Sequence, residues 1–264
     1  MSDRPSPGPG FRLGAWLTIM FIRLMRWRLD VRGLDHVPTT GGVVVTFNHH
    51  SYADFAMCGW PIYRQRGRPV RFLAKRELFD RPVLGRLLRS AGQVPVERSS
   101  RGGRSEAFEH AVTALRGGEV IAVAPEQTIS RSFELLPFTH GTVRMARESG
   151  VPIVPSVNWG TQRWATKGRP VRWLAFGLPV LIRYAEPIVV GADEDLGAAT
   201  DRLQATMAEL LDEVQRAYPE RPRPGDDWWL PARLGGSAPP HEEVLRDHRE
   251  RQDRWRGGDE HRSA

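Results

Sequence analysis

One short segment concentrates the polar chemistry of this chain: Asn48-His49-His50-Ser51-Tyr52-Ala53-Asp54, directly after an apolar run at 42–47. His49 in a turn and Asp54 in the first turn of a helix, five positions apart, can hydrogen-bond through Nδ1. The carboxylate then fixes the imidazole tautomer and stabilises the imidazolium formed when Nε2 accepts a proton. Such a pair is a general base, and it needs neither metal nor covalent nucleophile where the substrate already carries an activated acyl group. Three other readings use the same residues. Ser51 and Asp54 have the spacing of a helix-capping pair, with Ser51 as N-cap. His50 and Asp54, four apart, could share a metal, although no second His-rich element completes a ligand set. Ser51 could be a nucleophile, but there is no Gly-x-Ser-x-Gly elbow and it lies too near His49 along the chain for easy attack geometry.

These residues need a scaffold that holds them at a strand end. From Gly41 onward, short β-branched runs alternate with helical patterns, which predicts an α/β fold with a mostly parallel central sheet flanked by helices. Strands are expected at 42–47, 70–74, 93–97, 119–124, 153–158 and 181–190, with Pro187 weakening the last. Helices are expected at 52–64, 104–116, 141–148 and 200–217. In an open sheet of this kind the loops leaving the carboxyl ends of the strands form the ligand crevice, and the 48–54 segment falls there.

The 264 residues carry 38 Lys+Arg against 31 Asp+Glu, are 40% hydrophobic and include one cysteine. A lone cysteine excludes an internal disulfide and a Cys-based zinc site, and the apolar run around Cys58 suits an inert packed thiol. The length suits one α/β domain with a large core. Lys75 and Lys167 are the only lysines, so the positive balance is an arginine bias. No dense Lys/Arg run with interleaved aromatics marks a nucleic-acid surface, and no nucleic-acid partner is expected.

Residues 11–28, FRLGAWLTIMFIRLMRWR, hold an apolar stretch at 15–22 that is far below the roughly 20 residues of a spanning helix. At about 100° per residue, Arg12, Arg23 and Arg26 share a stripe, with Leu13, Leu17, Met20, Phe21 and Leu24 opposite. That is the pattern of a helix lying in the headgroup plane, with arginines toward anionic lipid and Trp16 and Trp27 at the interface. A helix packed on its own domain gives the same pattern. Pro5, Pro7 and Pro9, with no small-residue cleavage site following, argue against a signal peptide. Beyond Tyr218 the composition turns to Pro, Gly and alternating charge, and 239–264 reads as a poorly ordered tail. The pair Trp228-Trp229 is the exception and is expected to dock on the domain, a membrane contact being the alternative.

Asn48-His49-x-Ser51-x-x-Asp54 after a Val-rich strand resembles the first motif of the glycerophospholipid acyltransferases, the family that includes 1-acyl-glycerol-3-phosphate acyltransferase. Its active site is a His-x4-Asp pair, which His49 and Asp54 match, His50 being the variable position. The order continues down the chain. Residues 74–79 (AKRELF) resemble the segment after the second strand, 92–98 (GQVPVER) the second motif and 151–155 (VPIVP) the last. Ala124-Pro125-Glu126-Gln127-Thr128-Ile129-Ser130 is similar to the third motif, usually Phe-Pro-Glu-Gly-Thr-Arg-Ser, and departs from it at Ala124, Gln127 and Ile129. The set spans residues 40–190.

The resemblance implies substrate contacts from Lys75, Arg98, Glu126 and Thr128, the two cations serving the acceptor phosphate; outside that context both read as solvated strand ends. Ile129 removes the third-motif arginine, and Arg131 is the nearest replacement. The implied reaction moves a fatty acyl group from an acyl thioester, acyl-CoA or acyl-carrier protein, to the free hydroxyl of 1-acyl-glycerol-3-phosphate, giving phosphatidic acid in phospholipid biosynthesis. Its partners are the lysophospholipid acceptor, the thioester donor and a membrane surface on the cytoplasmic face, with no bound cofactor or metal. Backbone amides near Gln127 and Thr128 are candidate oxyanion donors. The altered third motif leaves room for another lysophospholipid or amino-lipid acceptor, and a catalytically silent membrane-binding relative is the alternative of another class. The implied organisation is a membrane-associating segment at 1–40, an acyltransferase domain at 41–218 and a partly disordered tail at 219–264.

Overall fold

The structure, a computed structural model, describes residues 7–96 and 101–260. In chain order the elements are α1 (Pro9–Leu24), β1 (Arg28–Arg32), β2 (Val43–Phe47), α2 (Asp54–Arg66), β3 (Val70–Lys75), α3 (Arg76–Phe79), α4 (Pro82–Ser90) and β4 (Val94–Val96). There follow α5 (Arg101–Arg116), β5 (Val120–Val123), α6 (Gly141–Ser149), β6 (Ile153–Trp159), β7 (Pro179–Tyr184), α7 (Leu196–Arg216) and α8 (His241–Glu260). Among the described residues seven strands form one sheet, ordered β1-β7-β6-β2-β5-β3-β4. Every pairing is parallel except that of β6 with β7.

Strand β2 shows how the sequence fixes the centre of this sheet. All five of its residues are buried, and they alternate. Val44 faces a core with Leu115 of α5, Val143 of α6 and Met207 of α7. Val43, Val45 and Phe47 face a second core with Met57, Cys58 and Ile62 of α2. A strand apolar on both sides belongs in a sheet covered on both faces, and each such buried side chain is worth about 1.5–3 kcal/mol. The crossovers then leave on opposite faces, α2 on one and α6 on the other, which opens a crevice beyond the carboxyl ends of β5, β2 and β6.

Several boundaries differ from expectation, each for a local reason. The sheet starts within the N-terminal segment: Arg28–Arg32 reads as polar, yet it pairs in parallel with β7 as an edge strand, and Asp30 meets Arg183 at 2.8 Å. Helix α1 ends at Leu24, and Arg26 turns the chain with φ 53°. Trp27, expected at the lipid interface, is buried and its Nε1 donates to the Ala175 carbonyl at 3.0 Å. The α1 backbone runs close to α4, since a Cβ on Gly10 would stand 2.7 Å from the Leu87 carbonyl oxygen. The last strand stops at Tyr184, ahead of Pro187.

The tail after Tyr218 docks at its tryptophan pair as expected and departs from expectation beyond it. Trp229 is buried, with the Arg163 guanidinium 4.4 Å from its ring. Helix α8 follows where a disordered stretch was expected, and among its described side chains Val244 and His248, four apart, are buried. Two buried positions among many charges make too narrow an apolar stripe to stand out in the sequence.

Candidate active site

Three adjacent strand ends build the site. The β2–α2 turn carries His49 and Asp54, the loop after β5 carries Glu126, and the loop after β6 carries Asn158 and Thr161. Asp54 is fully buried, and its Oδ2 accepts from the amides of His50 and Ser51, each at 2.6 Å. Oδ1 accepts from the Thr161 hydroxyl at 2.9 Å. His49 Nδ1 stands 3.3 Å from Asp54 Oδ2, and the imidazole is 26% exposed. The carboxylate is therefore held by three donors before it meets the imidazole. With Nδ1 on Asp54, Nε2 is left as the basic nitrogen.

The competing readings of this segment separate by environment. His50 is buried, its Nδ1 3.1 Å from the Asn48 side-chain amide and its ring edge-on to Phe133 and Trp159. Burial, the largest influence, brings its pKa down to about 4, which keeps it a neutral core histidine with Nδ1 engaged by Asn48. Ser51 is buried and donates to the Thr161 and Ala165 carbonyls at 3.1 and 2.8 Å, so its hydroxyl is committed to holding the loop. Ser51 is not the N-cap, which is Ala53; the capping that exists runs the other way, from the Asp54 carboxylate back to the Ser51 amide. Cys58 is buried and burial pushes its thiol up to about 12, far from a reactive thiolate.

Both carboxylate oxygens of Glu126 are taken by backbone amides. It is 1% exposed, with Oε1 accepting from the His49 amide at 2.8 Å and Oε2 from the Leu136 amide at 2.9 Å. Burial outweighs those two donors and pushes its pKa up to about 8. Its effect on chemistry is to fix the His49 backbone. Gln127, where the third motif has glycine, sits at φ 61°, the left-handed conformation that explains why glycine is usual there. Its amide donates to the Ala124 carbonyl at 3.2 Å, so it is spoken for as an oxyanion donor, whereas the Thr128 amide has no acceptor among the described residues.

The expected cations fare differently. Arg98 lies outside the described residues. Lys75 is exposed at the carboxyl end of β3. Arg131 is half-buried and pairs with Asp247 of α8 at 2.6 Å. Ile129 is buried, so that position offers the site no charge. A residue not anticipated from the sequence joins them: Lys167 donates to the Thr128 hydroxyl at 3.4 Å. Its loop is strapped to the catalytic turn, Thr166 Oγ1 donating to the His50 carbonyl at 2.6 Å and the Tyr52 amide to the Ala165 carbonyl at 3.3 Å. Burial first, and then Arg251, Arg131 and Lys75, lower its pKa from the usual lysine value. The other of the chain's two lysines was visible only as part of a motif; Lys167 carries no motif signal at all.

A family model described as Acyltransferase matches residues 28–159, half of the chain, including the His49/Asp54 turn and the third-motif loop. The chain belongs to the acyltransferase family. Among its relatives is a 1-acyl-sn-glycerol-3-phosphate acyltransferase of Bacillus subtilis, 25% identical over 195 residues, which cover 73% of this chain and 92% of that one. A chloroplastic enzyme of the same name from Brassica napus is 28% identical over 138 residues, covering 51% of this acyltransferase and 38% of the relative's length. The crystal structure of the 1-acyl-sn-glycerophosphate acyltransferase PlsC from Thermotoga maritima has the same fold, with a TM-score of 0.66 and 22% identity over 80% of this chain and 81% of that one. The family match ends at Trp159, so Thr161, Lys167 and α8 of this acyltransferase lie beyond it.

Proposed function

We propose that this acyltransferase moves a fatty acyl group from a thioester, acyl-CoA or acyl-carrier protein, to the free hydroxyl of 1-acyl-glycerol-3-phosphate at a membrane surface. The observation that carries the chemistry is the His49 imidazole, tethered to a buried, three-donor carboxylate and open to the crevice. Nε2 takes the proton of the acceptor hydroxyl as its oxygen attacks the thioester carbonyl carbon. The tetrahedral intermediate collapses with cleavage of the C–S bond, and the thiolate leaves with the proton from His49. Asp54 orients the ring and stabilises its charged form in between. The Thr128 amide is suited to meet the developing oxyanion. The names of the relatives and the cations around Thr128 support a phosphate-bearing acceptor.

Membrane attachment is supported by exposed apolar side chains. On α1, Leu13, Trp16, Leu17, Met20 and Leu24 are 43–68% exposed along one stripe, with exposed Arg12 and Arg23 beside it. Trp173, Leu174 and Phe176 are 52–80% exposed in a loop tied to the end of α1, the Gly177 amide donating to the Met25 carbonyl at 2.7 Å. No described helix is long and apolar enough to cross a membrane, and exposed apolar residues flanked by arginine suit the headgroup layer. Acyl-CoA or acyl-carrier protein as donor supports a cytoplasmic face for the reaction. Thiol release with matched lysolipids that carry phosphate, a zwitterionic headgroup or none tests the acceptor. The phosphate-bearing lipid should give the highest kcat/KM, and equal turnover of all three would refute this choice.

A further inference from the structure

Four cations lie within electrostatic reach of Lys167 or at it, around the third-motif loop, each from a different part of the chain: Lys75 at the end of β3, Arg131 after β5, Lys167 itself after β6 and Arg251 on α8. Of these, Arg131 alone has a carboxylate partner among the described residues, Asp247. Lys167 reaches only a neutral hydroxyl, that of Thr128. Arg131 also packs against the Lys167 loop, its Cδ 3.9 Å from where a Cβ on Gly168 would lie. Like charges gathered at a partly desolvated place destabilise one another unless an anion joins them, and the lowered pKa of Lys167 reflects burial first and then that repulsion.

Helix α8 is held over this group by its own contacts. His241 Nδ1 lies 2.9 Å from the Ser132 hydroxyl, and Asp247 binds Arg131 one turn before Arg251. The third motif places a buried isoleucine where its family pattern has arginine, so a cation for this site has to come from elsewhere. We propose that Lys167 and Arg251, acting with Lys75 and Arg131, form the anion site for the acceptor's phosphomonoester, and that Lys167 stands in for the arginine lost at Ile129. A phosphomonoester carries between one and two negative charges at neutral pH, which matches an excess of cations over the single carboxylate. Both new residues lie outside the stretch matched by the family model.

This inference rests on the acyl-transfer reading above, and the test separates the two. KM and kcat are measured for 1-acyl-glycerol-3-phosphate, for the corresponding 1-acylglycerol without phosphate, and for the thioester donor. Lys167→Ala should raise KM for the phosphate-bearing acceptor on the order of 10- to 100-fold, the loss expected for a hydrogen bond to a charged group. KM for the neutral acceptor and for the donor should stay put, and Lys167→Arg should restore the wild-type value. Lys167→Met, which keeps the aliphatic stem, repeats the test should the alanine variant lose thermal stability. Arg251 is exposed, so Arg251→Ala should raise KM by less, roughly 3- to 10-fold, and the effect should shrink with added salt. A wild type that favours the phosphate-bearing acceptor together with an indifferent Lys167→Ala overturns this site alone. A shift in donor KM instead assigns these cations to donor phosphates and also overturns it. A wild type without preference for the phosphate overturns the acceptor reading and this site with it.

Discussion

His49 and His50 are neighbours in sequence and opposites in environment, the first open to the crevice and the second buried in the core. His50 titrates near 4 in the folded protein against an ordinary 6.5, so the unfolded chain binds the extra proton first. Its contribution is present above 6.5 and is lost as pH falls toward 4, by up to about 3 kcal/mol. Glu126 has the opposite sign: held up to about 8 against 4.5, it favours the folded state at low pH and loses that advantage as pH rises through 8. The stability difference between wild type and His50→Asn cancels the Glu126 slope, and it should widen from pH 4 to 6.5 and stay level above; a constant difference would show that His50 does not titrate as a buried group. Asp54→Asn should lower both kcat and thermal stability, because the same carboxylate orients His49 and accepts two loop amides; a loss of stability with kcat intact would reduce it to a loop brace. The His49/Asp54 pair was legible because its spacing is local. The Thr161 hydroxyl on Asp54 was not, since that contact closes over 107 positions of chain, and Lys167 was not, since a lone lysine in a loop has no pattern to betray it.

At the scale of elements, α1 has two faces with different duties. Ile22 is buried against the domain and Gly10 lies close on α4, while Leu13, Trp16, Leu17, Met20 and Leu24 face outward. Removing the helix would strip the domain as well as the exposed stripe, so point changes are the cleaner test. Trp16→Ser with Leu17→Ser, or Trp173→Ser with Leu174→Ser, should weaken binding to anionic vesicles at least 10-fold in flotation, since burying one such side chain is worth about 1.5–3 kcal/mol. Tm should barely change, because these residues are exposed in the folded protein. Unchanged flotation by both double variants would show that lipid is met elsewhere. Amphipathic periodicity revealed the existence of α1 but placed Arg26 and Trp27 on it. Periodicity reports the apolar face, and only the tertiary contact of Trp27 with Ala175 shows where the helix stops. Helix α8 escaped notice for the converse reason: Val244 and His248 give too little apolar pattern to rise above its charges.

At the scale of the molecule, the parallel sheet was readable because both-face burial leaves continuous β-branched runs such as 43–47, whereas the edge strand β1, half polar, left none. The sheet sets the working geometry: three adjacent strand ends supply the base, its orienting carboxylate and the loop that holds them. Burial of Asp54 and Glu126 beneath that loop keeps the machinery in register, and under the proposed function the exposed apolar stripe is the surface from which the lipid acceptor arrives. The most direct test is phosphatidic acid formed from acyl thioester and 1-acyl-glycerol-3-phosphate on anionic vesicles, followed together with thiol release in wild type and His49→Ala. The wild type should form one phosphatidic acid per thiol released, and His49→Ala should fall at least about 100-fold with Tm and vesicle binding unchanged. A His49→Ala variant that keeps more than about a tenth of the turnover, or a wild type that releases thiol without forming phosphatidic acid, would contradict the assignment of His49 as the base of this transfer.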